Sequence, residues 1–150
     1  MARKSSDQIR IMNAGIVEQL LTRPADEVTE GSYVLRVLEV RGRITGEPRR
    51  VPLGVVQKNG VTYLVSPDPN RDWVRNLTHD PACTLAAGSS TWQCRAGRVA
   101  GDEAITVVAT YLRAVTTPWA LQAFPVAPDA SRADIEGALD RLAVFRLDPA

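Results

Sequence analysis

Apolar residues recur with two periods along the chain, and the switches between them divide it into helices and strands. Ile9, Met12, Ile16, Val17 and Leu20 fall at helical spacing behind Ser5 or Ser6 as a cap. They predict a first helix over residues 5–22, ended by Thr22-Arg23-Pro24. A polar connector from Ala25 to Gly31 leads into Tyr33 to Val40, whose β-branched and aromatic residues predict a strand. Val51–Lys58 and Val61–Ser66 flank Asn59-Gly60, the signal for a tight hairpin. Pro67 to Arg71 breaks the sheet, and Asp72 can cap a short helix through Trp73, Val74, Asn76 and Leu77 before Pro81 stops it.

The next pair of runs, Ala82–Ala87 and Thr91–Val99, carries its own check on register. A two-residue loop at Gly88-Ser89 sets Cys83 opposite Cys94 and Leu85 opposite Trp92 on one apolar face, with Gln93 and Arg95 on the other. Gly101-Asp102-Glu103 then opens a helix with Ala104, Val107, Val108, Tyr111 and Leu112 along one stripe, closed by Thr116-Thr117-Pro118. Ala123 to Ala130 reads as a proline-bearing loop, and Ser131 to Asp134 as a capping box for a last helix carrying Ile135, Leu139 and Leu142. Ala143 to Leu147 is the final strand. About six strands in hairpin succession, with helices around them, predict a mainly β, α+β fold: a closed or partly closed antiparallel barrel with flanking helices.

The 150 residues fit one domain, 1–150, that buries roughly two-thirds of its unfolded surface. Eighteen basic and seventeen acidic residues nearly cancel, which disfavours non-specific nucleic-acid binding. Against that neutral background, Arg41 to Leu53 packs four arginines and two glycines into a junction between strands. Guanidinium groups grip phosphate or carboxylate oxygens in pairs, so the stretch reads as an anion site, with a solvated basic turn as the plain alternative. One histidine and two cysteines cannot build an ordinary zinc site. His79 sits at a helix end, where its charge has an electrostatic reason to be. Cys83 and Cys94 read as buried thiols, although opposed positions could also form a disulfide. No apolar run approaches a membrane span and the first six residues lack the core of a signal peptide, so a soluble cytoplasmic protein is expected.

Gly42-Arg43-Ile44-Thr45-Gly46, followed by Arg49 and Pro52-Leu53, resembles the signature loop of the deazaflavin-dependent nitroreductase family, the split-barrel flavin and deazaflavin oxidoreductases. Further segments resemble that family in the same order: Tyr63 to Pro67, Asp72 to Leu77, and Thr110 to Arg113 with the closing Val144 to Leu147. The similarity runs from about Tyr33 to the C-terminus. It implies a split β-barrel of about six antiparallel strands, often paired as a homodimer. It also implies the deazaflavin coenzyme F-420, whose tail carries a phosphate and a string of glutamates.

By the resemblance, Arg43 and Arg49 hold that tail, Thr45 and Gly46 offer hydroxyl and amide donors, and Pro52 and Leu53 lie under the ring system. Ser66 and Pro67 contribute backbone near the ring, Trp73 and Asn76 flank the cofactor, and Arg50 and Arg75 are further anion contacts. Trp73 also has the plain reading of a packing anchor. The chain departs from the family at Ile44, where a lysine is usual, and at Asp68-Pro69-Asn70, where a glycine pair is usual. Flavin mononucleotide, with one phosphate, is therefore the alternative cofactor. A reduced deazaflavin donates a hydride, which implies a reductase acting on a small electron-poor acceptor such as a quinone, an activated alkene or a nitro compound. A non-catalytic carrier of the cofactor is the rival reading. Tyr111 is the candidate proton donor, with a core tyrosine as the alternative.

Overall fold

The computed structural model describes residues 5–150 of the chain. A 17-residue helix α1 (Ser6–Thr22) begins with a complete capping box, in which the Ser5 hydroxyl accepts from the Gln8 main-chain N–H and the Gln8 side chain accepts from that of Ser5. Strands β1 (Tyr33–Arg41), β2 (Pro48–Lys58) and β3 (Val61–Ser66) follow as a meander. Asn59 and Gly60 both take positive φ at the β2–β3 turn, as the Asn-Gly pair requires. Helix α2 (Asp72–His79) leads to strands β4 (Ala82–Ala87) and β5 (Ser90–Arg98). Then come α3 (Gly101–Ala114), a one-turn α4 (Pro118–Leu121), α5 (Arg132–Ala138) and a final strand β6 (Ala143–Pro149).

Every strand pairs antiparallel in the order β1-β2-β3-β6-β5-β4, and β4 returns to β1 to close a six-stranded barrel with flanking helices. The expected register of the β4–β5 hairpin is present, with Cys83 opposite Cys94 and Leu85 opposite Trp92. Both cysteines are free thiols, and burial pushes the Cys83 thiol up to about 12.

Strand alternation splits the apolar residues into two cores. Inward-facing Leu38, Val55, Leu64, Leu85, Phe145 and Leu147 fill the barrel. The buried face of α2 closes one end of it: Trp73, Val74 and Leu77 join this core, with the Trp73 ring 6.0 Å from that of Phe145. Each such side chain contributes roughly 1.5–3 kcal/mol by leaving water, and together they anchor α2 to the barrel. Outward-facing Val56, Tyr63 and Val65 form the second core with Val107, Val108 and Leu112 of α3 and Ile135 of α5.

Several elements differ from the expected pattern. Strand β2 begins at Pro48 rather than Val51, and α5 ends at Ala138, so that Leu139 lies in a following 3-10 turn and Leu142 after it. Helix α4 lies where no helix was expected, because a single turn has no periodicity to read. Asp72 does not cap α2: Arg71 holds the cap position without a side-chain bond, and Asp72 is the first helical residue. No helix among the described residues is long and apolar enough to cross a membrane.

Candidate functional site

The β1–β2 loop and α2 meet at one end of the barrel, and Arg43 joins them. Its main-chain N–H donates to Asn76 Oδ1 at 3.1 Å and its guanidinium donates to the same oxygen at 2.8 Å. Its other guanidinium nitrogen reaches Asp72 Oδ1 at 3.3 Å. Asn76 is buried, so its amide oxygen fixes both the loop backbone and the plane of the arginine. The loop closes on itself as well: the Gly42 N–H donates to the Glu47 carbonyl, and the Gly46 N–H to the Gly42 carbonyl.

The other arginines of the loop divide into paired and unpaired. Arg50 Nε lies 2.9 Å from Glu39 Oε2, directly across the β1–β2 register, and Arg41 lies 3.9 Å from Asp80. Arg49 makes no ion pair among the described residues and runs along Gly42, where an added side chain would meet its Cγ and Nε at 3.4 Å. Three of the four arginines therefore have an acidic partner in the protein itself. The basic cluster of the sequence is much less bare than its composition suggests.

A groove of about 580 Å³ lies beside this hub, between α1 and the outer face of the barrel. Ile9, Arg10, Asn13, Ala14 and Val17 of α1 form one wall, with Arg50 of β2 and Asp72 of α2 opposite. Among these residues only Val17 is buried; of the apolar stripe of α1, Ile9 and Val17 line the groove, whereas Ile16 and Leu20 are half-buried. The outer face of β2 continues from Arg50 through Pro52 to Gly54, because alternate residues share a face. The Tyr33 ring lies across Gly54: a Cβ at position 54 would stand 1.8 Å from it. Tyr33 in turn meets Tyr111 edge-on, with centroids 5.4 Å apart.

These positions revise several sequence-based expectations. Pro52 and Leu53 point to opposite faces of β2, and Leu53 packs on the barrel interior. The Gly46 amide is already spent on the Gly42 carbonyl, which leaves Thr45, whose hydroxyl accepts from the Glu47 N–H and keeps its own proton to donate. Ser66 is fully buried and its hydroxyl donates to the Asp68 carbonyl at 2.6 Å, so it shapes the turn that half-exposed Pro67 opens. Trp73 is the packing anchor described above, and Arg75 is exposed on α2. Tyr111 is only 7% exposed, in contact with both Tyr33 and Phe124. Burial raises its pKa, as does the neighbouring Tyr33 hydroxyl, whereas the Arg71 charge acts the other way. The α1 wall and the Asp72 contact were not found from sequence; a helical stripe reads the same whether it packs or lines a groove.

Among the described residues no group of three or more histidine, cysteine, aspartate or glutamate side chains could hold a metal ion. No curated protein matches the chain significantly. Solved structures of similar fold include an F420-H2 dependent reductase, 19% identical, which matches 83% of this chain and 100% of its own with a TM-score of 0.54. A domain-swapped dimer is 20% identical over 95% of this chain and 94% of its own, at 0.55. A heme binding protein from Mycobacterium smegmatis is 20% identical over 99% of this chain and 53% of its own, also at 0.55. At these identities the likeness concerns the fold. The sequence itself goes further, because a family model matches residues 5–121, from the start of α1 through the hub to α4. The chain belongs to the F420H(2)-dependent quinone reductase family, and is a reductase that works with the deazaflavin coenzyme F-420.

Proposed function

We propose that this reductase acts on a small electron-poor acceptor, a quinone, an activated alkene or a nitro compound, in the groove between α1 and β2. The observation that carries the reading is the groove itself: its volume of about 580 Å³ is in the range of small-molecule sites, and cationic Arg10 and Arg50 face it beside apolar Ile9, Ala14 and Val17. An apolar wall with cations at its rim fits a flat ring carrying an anionic tail, so the residues present suit the coenzyme. When bound, the reduced coenzyme supplies a hydride.

In this reading Arg49, Arg43 and Arg50 take the tail, with the Thr45 hydroxyl beside them, Arg75 at the edge, and Asn76 holding Arg43 in place. Pro52 gives the ring a flat floor on the outer face of β2, next to the Tyr33 ring over Gly54, while Ser66 and Pro67 set the backbone at the far edge. Leu53 and Trp73 support that floor from inside the barrel. Helix α1 keeps water from one side, so the side chains need only orient the reactants and exclude solvent. Tyr111 enters as the proton donor through its contact with Tyr33. The Arg71 charge favours that role and burial opposes it. A single domain spanning residues 1–150, paired as a homodimer, completes the proposal, and the domain-swapped dimer of similar fold is its support.

The test follows absorbance of the reduced coenzyme with menadione, an enone and a nitroaromatic as acceptors. Oxidation with at least one of them, lost when Arg10 and Arg50 are both replaced by glutamate, is the expected result. Binding of the coenzyme without oxidation by any acceptor would overturn the reading in favour of a carrier.

A further inference from the structure

Of the residues that line the groove, Asp72 is the one acid among the described ones, and it points at an arginine meant for the ligand. This is the reverse of what an anion site needs, since a carboxylate in the groove repels the tail and occupies its cation. The geometry makes the contact easy to release. Arg43 is 21% exposed and tied down twice by buried Asn76, whereas the Asp72 side chain is 88% exposed and holds Arg43 through a single oxygen. An exposed ion pair of this kind is weak. A freed Asp72 carboxylate also keeps a favourable place in the first turn of α2, near the positive end of the helix dipole.

We propose that Asp72 is a specificity-determining residue that acts as a built-in competitor for Arg43. Its carboxylate stands in for the ligand anion, and a ligand displaces it only by bringing more negative charge to the hub than one carboxylate does. A phosphate or a run of carboxylates meets that threshold; a lone small acid does not. Asn76 keeps the guanidinium aimed while Asp72 swings away, so the exchange needs no movement of the loop. The inference rests on the reading that Arg43 receives the anionic tail.

A double-mutant cycle over Arg43→Ala and Asp72→Asn tests it, by titrating oxidised coenzyme F-420 and following its fluorescence, with a tail-free deazaflavin as control. Asp72→Asn should tighten binding of the tailed coenzyme about twofold to fivefold at low salt, and the gain should shrink as salt rises. It should vanish in the Arg43→Ala background, and affinity for the tail-free ring should stay the same throughout. Asp72→Ser, which also suits a helix start, should repeat the result if the asparagine variant folds poorly. An equal gain with and without Arg43 would make Asp72 a general repulsive charge and overturn the competition. No gain in either Asp72 variant would overturn it as well. If Arg43→Ala alone left affinity unchanged, the tail reading itself would fall, and the competitor with it.

Discussion

Asn76 Oδ1 accepts two hydrogen bonds from Arg43, one from its main chain and one from its guanidinium, across 33 positions of sequence. One buried amide thus ties the loop between β1 and β2 to the helix that closes the barrel, and it does so at the residue that carries the charge.

Replacing Asn76 by alanine should therefore damage stability and binding together. The Arg43 N–H would lose its acceptor at a part-buried position, a cost of about 1–3 kcal/mol, and the guanidinium would lose its aim. Denaturant unfolding and coenzyme titration on the same sample provide the check. A variant with wild-type stability and affinity would show that the double bond holds nothing in place.

Arg49→Ala should separate the two effects. Arg49 is exposed and makes no ion pair among the described residues, so stability should stay within about 0.5 kcal/mol of wild type. Coenzyme affinity should fall by roughly 1.5–3 kcal/mol, the range for hydrogen bonds to charged groups. Calorimetry measures the binding, and loss of stability with intact affinity would make Arg49 structural.

Gly54→Ala should be among the more damaging small substitutions on the barrel. Its Cβ would fall within 1.8 Å of the Tyr33 ring, which cannot yield without leaving Tyr111. Overpacking of this kind costs typically 1–3 kcal/mol. In a Tyr33→Leu background the same change should cost much less, and equal costs in both backgrounds would locate the strain elsewhere.

For Tyr111, the informative change is to phenylalanine, which keeps the ring packed on Tyr33 and Phe124 and removes only the hydroxyl. A proton-donor role requires kcat to fall tenfold or more with coenzyme affinity unchanged. Wild-type turnover in this variant would return Tyr111 to the core.

Much of the barrel was legible because hairpin turns fix register locally: Asn59-Gly60 and Gly88-Ser89 each determine which residues face one another. The Glu39–Arg50 pair was not legible in this way, because the six-residue loop between β1 and β2 fixes no register locally. Neither was the pairing of Arg43 with Asp72, since it depends on how α2 seats in the barrel mouth. Nor could the stripe of α1 announce its purpose. Ile9, Met12, Ile16, Val17 and Leu20 have the spacing of a packed helix, yet among them only Val17 is buried, Ile16 and Leu20 are half-buried, and Ile9 lines the groove. Pro52 and Leu53 show the opposite case: both lie within the strand expected over Val51–Lys58, and its two-residue period already puts them on opposite faces.

Ile44 occupies a position where the chain departs from the family pattern, which has a lysine there. Its side chain is 86% exposed at the tip of the loop, so it packs against neither the barrel nor a helix. Ile44→Lys should then leave the melting temperature unchanged, because it gives up no buried contact. It also adds a cation next to Arg43 in the chain, on a loop where three arginines already have acidic partners. The new charge should attract the coenzyme tail, and an exposed contact of this type is worth roughly 0.2–1 kcal/mol. Longer glutamate tails should gain more than short ones, and the gain should shrink as salt rises through the range where the Debye length falls below about 10 Å. Titration with tails of two lengths at two salt concentrations measures all of this. Equal affinities for both tails before and after the substitution would mean that the tail does not pass this loop, and that Arg49, five residues on, meets no part of it.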